Sequence, residues 1–157
     1  MDASYVNPFV QGAQRVFTTL CNETPTVGKI FVKTKPYSVL DVSVAVDVFG
    51  AFEGAAVYTM QENAGCFIVS QMMMGMPVAT LKDDMARSAV CELANIISGN
   101  VATIFAAKEI VVDIKPPQLK FDATESDFPF TEKMKQVVCI PLTFNNGHIF
   151  EVDVMIP

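Results

Sequence analysis

The sequence predicts an α+β fold, an antiparallel or mixed β-sheet packed with long helices in two or three layers. Three observations carry this expectation. The run "LDVSVAVDVFG" alternates with a period of two, as a strand with one buried face does. Asn145, Asn146 and Gly147 sit between two apolar runs, a strong short-range hairpin signal. Residues 83–109 repeat apolar side chains at helical spacing.

Taken in order, "NPFVQGAQRVFTTLCN" places Asn7 as an N-cap and Pro8 at a first helical position. Phe9, Ala13, Val16, Phe17 and Leu20 then share one face, which predicts a helix over 8–20. "VGKIFVKTK" is rich in β-branched and aromatic residues and reads as a strand ending near Pro36. In the alternating run, Leu40, Val42, Val44, Val46 and Val48 point one way. Asp41, Ser43, Ala45 and Asp47 point to a side left for solvent or a partner. "GAFEG" turns the chain so that "AAVYTM" returns antiparallel. "ENAGCFIVSQMMMGM" reads as a second helix, ended by Gly75 and Pro77.

The segment from Asp83 to Glu109 is a long helix, with acids at its positive end and Lys108 near its close. "IVVDIKPPQLKF" is a strand broken at Pro116 and Pro117, and "QVVCIPLTFNNGHIFEVDVMI" is the closing hairpin.

At 157 residues, 51% of them hydrophobic and 12 of them Phe, the chain can bury a core as one domain over residues 1–157 without a disulfide or metal. A net charge of -6 argues against nucleic acid and anionic membranes as partners. Cys21, Cys66, Cys91 and Cys139 form no C-x-x-C pair and His148 is the only histidine, so no metal-ligand cluster is expected and reduced thiols in a cytoplasm fit. The start "MDASYVNPFV" lacks a basic segment followed by an apolar run, so no targeting segment is expected there. The apolar stretches "VSVAVDVFGAF" and "MMMGMPVATL" are shorter than the roughly 20 residues of a membrane span.

On the long helix, Ala86, Val90, Leu93, Ile97, Val101 and Ile104 make one continuous apolar stripe at spacings of three and four. Ser88, Glu92, Asn95, Gly99 and Ala102 repeat the same spacings on the opposite face. That second stripe is unusual for a solvated face, because a carboxylate and a carboxamide are flanked by small residues. Asn and Gly in mid-helix each cost up to about 1 kcal/mol relative to Ala, so something other than helicity is served there. A Glu and an Asn three residues apart ordinarily mean only solvation, and the pair alone does not identify a function.

The longer run "GMPVATLKDDMARSAVCELANIISGN", together with "NPFVQGAQRVF", resembles the CheX branch of the CheC/CheX/FliY family of chemotaxis phosphatases, which dephosphorylate the response regulator CheY. The family motif, a Ser-Ala opening, E-x-x-N and a Gly on a long helix, is matched by Ser88, Ala89, Glu92, Asn95 and Gly99. CheC-like members carry two such motifs on pseudo-symmetric helices, whereas the first helix here has none, as in CheX.

The resemblance implies a homodimer with one site per subunit, acting on the phosphoaspartate of a CheY-like receiver. It implies that Asn95 orients the attacking water, that Glu92 pairs with the receiver's lysine, and that Ser88, Gly99 and Ala102 form the docking face. The Mg²⁺ would come with the receiver, with no metal or cofactor bound by this chain. The alternative is a docking module of the same fold without turnover. Met72, Met73, Met74 and Met76 read as core filler, Cys91 as a thiol without an activating base, and Asp83 and Asp84 as first-turn helix residues.

Overall fold

The computed structural model describes residues 2–134 and 136–156, apart from the side chain at position 131. It contains α1 (Ala3–Cys21), β1 (Thr26–Val27), β2 (Phe31–Lys33), β3 (Val42–Gly50), β4 (Gly54–Met60), α2 (Glu62–Met72) and α3 (Asp84–Ala106). β5 (Val112–Ile114), β6 (Gln118–Phe121), two short 3-10 turns, β7 (Val137–Thr143) and β8 (Ile149–Met155) follow.

All described pairings are antiparallel, in the order β1-β7-β8-β4-β3-β5. β2 continues along the outer edge of β7 after β1, and β6 continues along β3 after β5. The two expected hairpins are both present. β3 and β4 pair from Val42 opposite Met60 to Val48 opposite Gly54, and β7 and β8 turn at Asn145–Gly147, where Gly147 has a φ of 90°. The strand expected before Pro36 is two short pieces, β1 and β2, separated at Gly28–Ile30.

Val42, Val44 and Val46 of β3 and their cross-strand neighbours Ala56, Tyr58, Val152 and Val154 face the three helices and form the main core with Phe9, Phe17, Leu93, Ile97 and Phe105. The other sheet face is not simply solvated, as its alternation suggested. Residues flanking the two 3-10 turns, with Tyr37, cover its centre: Tyr37, Phe128 and Met134 pack on Ala55, Val57, Val137 and Met155. Ser43, expected to look outward, is buried against the Thr59 hydroxyl at 3.0 Å.

α1 starts earlier than Pro8 suggested. Asp2 is the N-cap, its carboxylate accepting from the Ser4 N–H at 2.9 Å, and Pro8 lies inside the helix. Proline there forgoes the bond to the Ser4 carbonyl, which is on an exposed residue that water can satisfy. The added turn is held by packing, with Tyr5 edge-on to Phe52 at 5.3 Å and Val6 buried.

α3 begins where expected, the Asp83 carboxylate accepting from the Ala86 N–H at 2.8 Å, and ends at Ala106 with residues 107–109 in a turn. It is long and apolar enough to cross a membrane, but half of that stretch is buried in the fold, as befits a core helix. α1 crosses it at Gly12, where a Cβ would lie 2.8 Å from Val101 Cγ2; only glycine lets the helices come this close.

Candidate functional site

The α3 register places the two stripes as the spacing predicts. Ala86, Val90, Leu93, Ile97, Val101 and Ile104 are buried. Ser88, Glu92 and Asn95 are exposed, and Gly99 and Ala102 are half-buried at the end of the same ridge. Among the described residues, no hydrogen bond or ion pair occupies the Glu92 or Asn95 side chain. Both are therefore free to bind something else. A Cβ built on Gly99 meets nothing within 4 Å, so glycine there leaves room above the helix. The Gly99 carbonyl accepts from Thr103 Oγ1 at 3.0 Å, which ties the backbone back at this point.

The rotation that exposes this ridge is held from inside. Ser98, a residue whose presence in mid-helix the sequence left unexplained, is buried with its Oγ 2.8 Å from the Tyr58 hydroxyl of β4. Burial pushes the Tyr58 phenol up and the Ser98 bond pulls it partly back, so the hydroxyl stays protonated.

The ridge has a wall that sequence reasoning missed. The β5–β6 link, Lys115-Pro116-Pro117, borders a groove of about 530 Å³ together with Ser88, Cys91, Glu92 and Asn95. The Lys115 N–H donates to the Asp47 carbonyl at 3.0 Å, and the prolines hold the link stiff. The two prolines were visible as a strand break, but nothing local to them indicated that the break lies against α3.

The other candidates sort as follows. Cys91 lines the groove, and burial pushes its thiol up, away from the thiolate a nucleophile requires. His148 lies in the β7–β8 turn, its ring tilted against Phe67 with centroids 5.5 Å apart. Asp83 caps α3 and Asp84 opens it. The methionines depart from the core reading: Met72 and Met73 are half-buried against the core, but Met74 is 98% and Met76 58% exposed. Met74 has a φ of 58° and Gly75 a φ of 89°, so the chain leaves the helix axis there and carries both side chains into solvent.

The fold also assembles a polar cluster that the spread cysteines did not reveal. On the second sheet face, ligand atoms of Cys139, Glu151 and Asp153 lie within 4.8 Å of one another. That set could hold a cation, and one is already there: Lys33 Nζ stands 2.8 Å from Asp153 Oδ2 and 2.9 Å from Glu151 Oε1. The Tyr37 hydroxyl donates to the same Asp153 oxygen at 2.6 Å. Burial pushes the Asp153 carboxyl up, while Lys33 and Tyr37 draw it back. Burial pulls Lys33 down, but the two carboxylates outweigh this and hold it above the ordinary lysine value. This cluster is a structural tie between β2 and β8.

Comparison with known proteins agrees with the fold. The family described as Chemotaxis phosphatase CheX matches residues 42–143, which include all of α3 and the β5–β6 link. The chain is 30% identical over 120 residues to the CheY-P phosphatase CheX of Thermotoga maritima, an alignment covering 74% of this chain and 75% of that one. The crystal structure of a chemotaxis protein CheX from Desulfovibrio desulfuricans superposes with a TM-score of 0.80 at 22% identity, covering 98% of this chain and 99% of that one. The CheX chain in a CheX-CheY-BeF3-Mg complex from Borrelia burgdorferi superposes with a TM-score of 0.77 at 26% identity, covering 97% of each chain. The α+β fold is thus that of CheX proteins, and the chain belongs to the CheX family of chemotaxis phosphatases.

Proposed function

We propose that this chain hydrolyses the phosphoaspartate of a CheY-like response regulator, with the α3 ridge entering the receiver's phosphorylation site. The observation that carries the reading is the pair Glu92 and Asn95, one turn apart, exposed and without a side-chain partner among the described residues, beside the open position at Gly99. An acyl phosphate already held by a receiver's Mg²⁺ needs mainly a positioned water for in-line attack. The Asn95 carboxamide can accept from and donate to that water without placing a negative charge beside the phosphoryl group. Glu92 suits a cation, and the receiver's active-site lysine is the partner that would align the two proteins. Ser88, Gly99 and Ala102 complete the docking face, and the metal belongs to the receiver rather than to this chain.

The same reading makes the protein a cytoplasmic homodimer with one domain over residues 1–157. The β1–β2 edge of the sheet supports a contact there, since Phe31 and Val32 are 44% and 48% exposed along a strand that, among the described residues, pairs only with β7. This edge lies at the opposite side of the sheet from β5 and β6, so pairing through it leaves the groove beside Asn95 open.

The test is the decay of acyl phosphate on native receivers with Mg²⁺. Addition of the wild-type chain should accelerate it, and Asn95→Ala should remove about 10²-fold of the acceleration while still binding the receiver. Binding without any acceleration by the wild-type chain would leave a docking module in place of an enzyme.

A further inference from the structure

A second groove, of about 670 Å³, runs along the other flank of α3, between it and α1. Val16, Leu20 and Ile96 make its apolar part, with Gln11, Arg15 and Asn100 among the polar residues of its rim. Its α3 wall, Ile96 and Asn100, consists of the residues immediately after Asn95 and Gly99. The ridge is therefore a crest shared by two grooves, and a partner seated on it overhangs both.

Most polar groups in this second groove are already engaged. The Gln14 amide donates to the Pro25 carbonyl at 3.1 Å, Thr18 to the Gln14 carbonyl at 2.7 Å, and the Asn100 amide to the Ile96 carbonyl at 3.0 Å. Arg15 differs. Its guanidinium is exposed and has no hydrogen-bond, ion-pair or ring partner among the described residues. The chain's other arginine is committed: Arg87 Nε donates to the Lys82 carbonyl at 2.9 Å and the guanidinium lies 5.2 Å from the Phe121 ring centroid.

Charge decides what Arg15 can take. A site that holds Mg²⁺ beside a phosphoaspartate does so through hard oxygen ligands that ordinarily include one or two carboxylates. This chain carries a net charge of -6, so beyond the Glu92–lysine pair it repels an acidic partner unless a local cation offsets the charge. A guanidinium fork matches a carboxylate in geometry as well as charge.

We propose that the α1–α3 groove is a second contact for the phosphorylated receiver, in which Arg15 pairs with a carboxylate on the rim of the receiver's phosphorylation site. The proposal rests on the phosphatase reading above. Arg15 is a positioning residue: it sets affinity and docking register, and Asn95 acts on the water.

The experiment uses the full chain with Arg15→Glu, Arg15→Lys and Asn100→Asp. Binding is measured to a native receiver carrying BeF3⁻ and Mg²⁺, and turnover on the phosphorylated receiver. Arg15→Glu should raise Kd and KM by about tenfold at low ionic strength, leave kcat within about twofold, and flatten the salt dependence of binding. Arg15→Lys should recover most of the loss, and Asn100→Asp should weaken binding by about threefold by adding a charge of the wrong sign to the opposite wall. A merely structural role would lower the melting temperature and leave the salt slope unchanged. Wild-type Kd, KM and salt slope in both Arg15→Glu and Asn100→Asp would overturn the second contact while leaving the phosphatase reading intact. A wild-type chain that neither binds nor dephosphorylates any native receiver would overturn both.

Discussion

The Tyr58 hydroxyl of β4 and Ser98 Oγ of α3 stand 2.8 Å apart inside the apolar core, neither with access to water. This bond joins the central sheet to the helix that carries Asn95. Because α3 advances about 100° per residue, fixing the direction of Ser98 fixes which residues three and six positions earlier face outward.

We predict that Ser98→Ala destabilises the fold by about 1–3 kcal/mol, since it leaves a buried phenol unpaired. Tyr58→Phe combined with Ser98→Ala should cost less than the sum of the single changes. Urea denaturation of the four proteins checks this, and full additivity would show that the pair does not act as a unit.

The two faces of α3 should respond oppositely to truncation. Leu93→Ala and Ile97→Ala should each cost about 2–5 kcal/mol through lost burial and a residual cavity. Glu92→Ala and Asn95→Ala should stay within about 0.5 kcal/mol of wild type, as exposed sites without partners do. Equal destabilisation on the two faces would mean that the ridge is engaged within the fold.

On the phosphatase hypothesis, Glu92→Ala should weaken receiver binding as well as turnover, because a docking ion pair acts on both. Gly99→Leu should lower binding by about tenfold or more with Asn95 still present, because its side chain would enter the space now open above the helix. Calorimetry against the BeF3⁻ form of a receiver reads both, and undiminished binding by Gly99→Leu would exclude contact at that end of the ridge.

Stability should fall on the alkaline side. Burial and the Asp153 charge hold the Tyr37 phenol above its ordinary value of 10.0, and burial with the same carboxylate holds the Cys139 thiol above 9.0. Burial also pushes Cys21 up to about 11. In each case the unfolded chain releases its proton first, so the folded state binds more protons and stability declines as pH rises from about 9 upward. Lys33, raised above 10.5, adds in the same direction, since its pairing is lost as pH rises through its folded value. Tyr37→Phe should give a shallower decline. Thermal melts between about pH 8 and 11 measure this, and a flat profile for the wild-type chain would contradict it.

Assembly through the β1–β2 edge predicts that Val32→Asp converts a dimer to a monomer without altering the ridge. Light scattering across micromolar concentrations decides it, and a wild-type monomer throughout that range would remove the edge contact.

The sequence by itself determined the elements whose causes are local. Alternation from Leu40 to Val48 and the Asn145–Gly147 turn specified the two hairpins, because strand period and turn conformation are properties of neighbouring residues. Spacing of three and four along α3 separated Leu93 and Ile97 from Glu92 and Asn95, so the candidate site was legible before any tertiary contact was known. Tertiary structure decided the rest, and in each case the cause lies far away in the chain. Pro8 suggested a helix start because its missing N–H is usually tolerated only there, yet packing of Tyr5 on Phe52 sustains another turn before it. Ser43 lost its solvent because Thr59 of β4 lies across from it and the Leu40 N–H closes on the same hydroxyl. The ridge gained walls from the Lys115–Pro117 link and from α1, and Cys139 met Asp153 only through the register of β7 on β8. Local periodicity tells which side of an element is apolar; what covers the other side depends on segments that only the closed chain brings together.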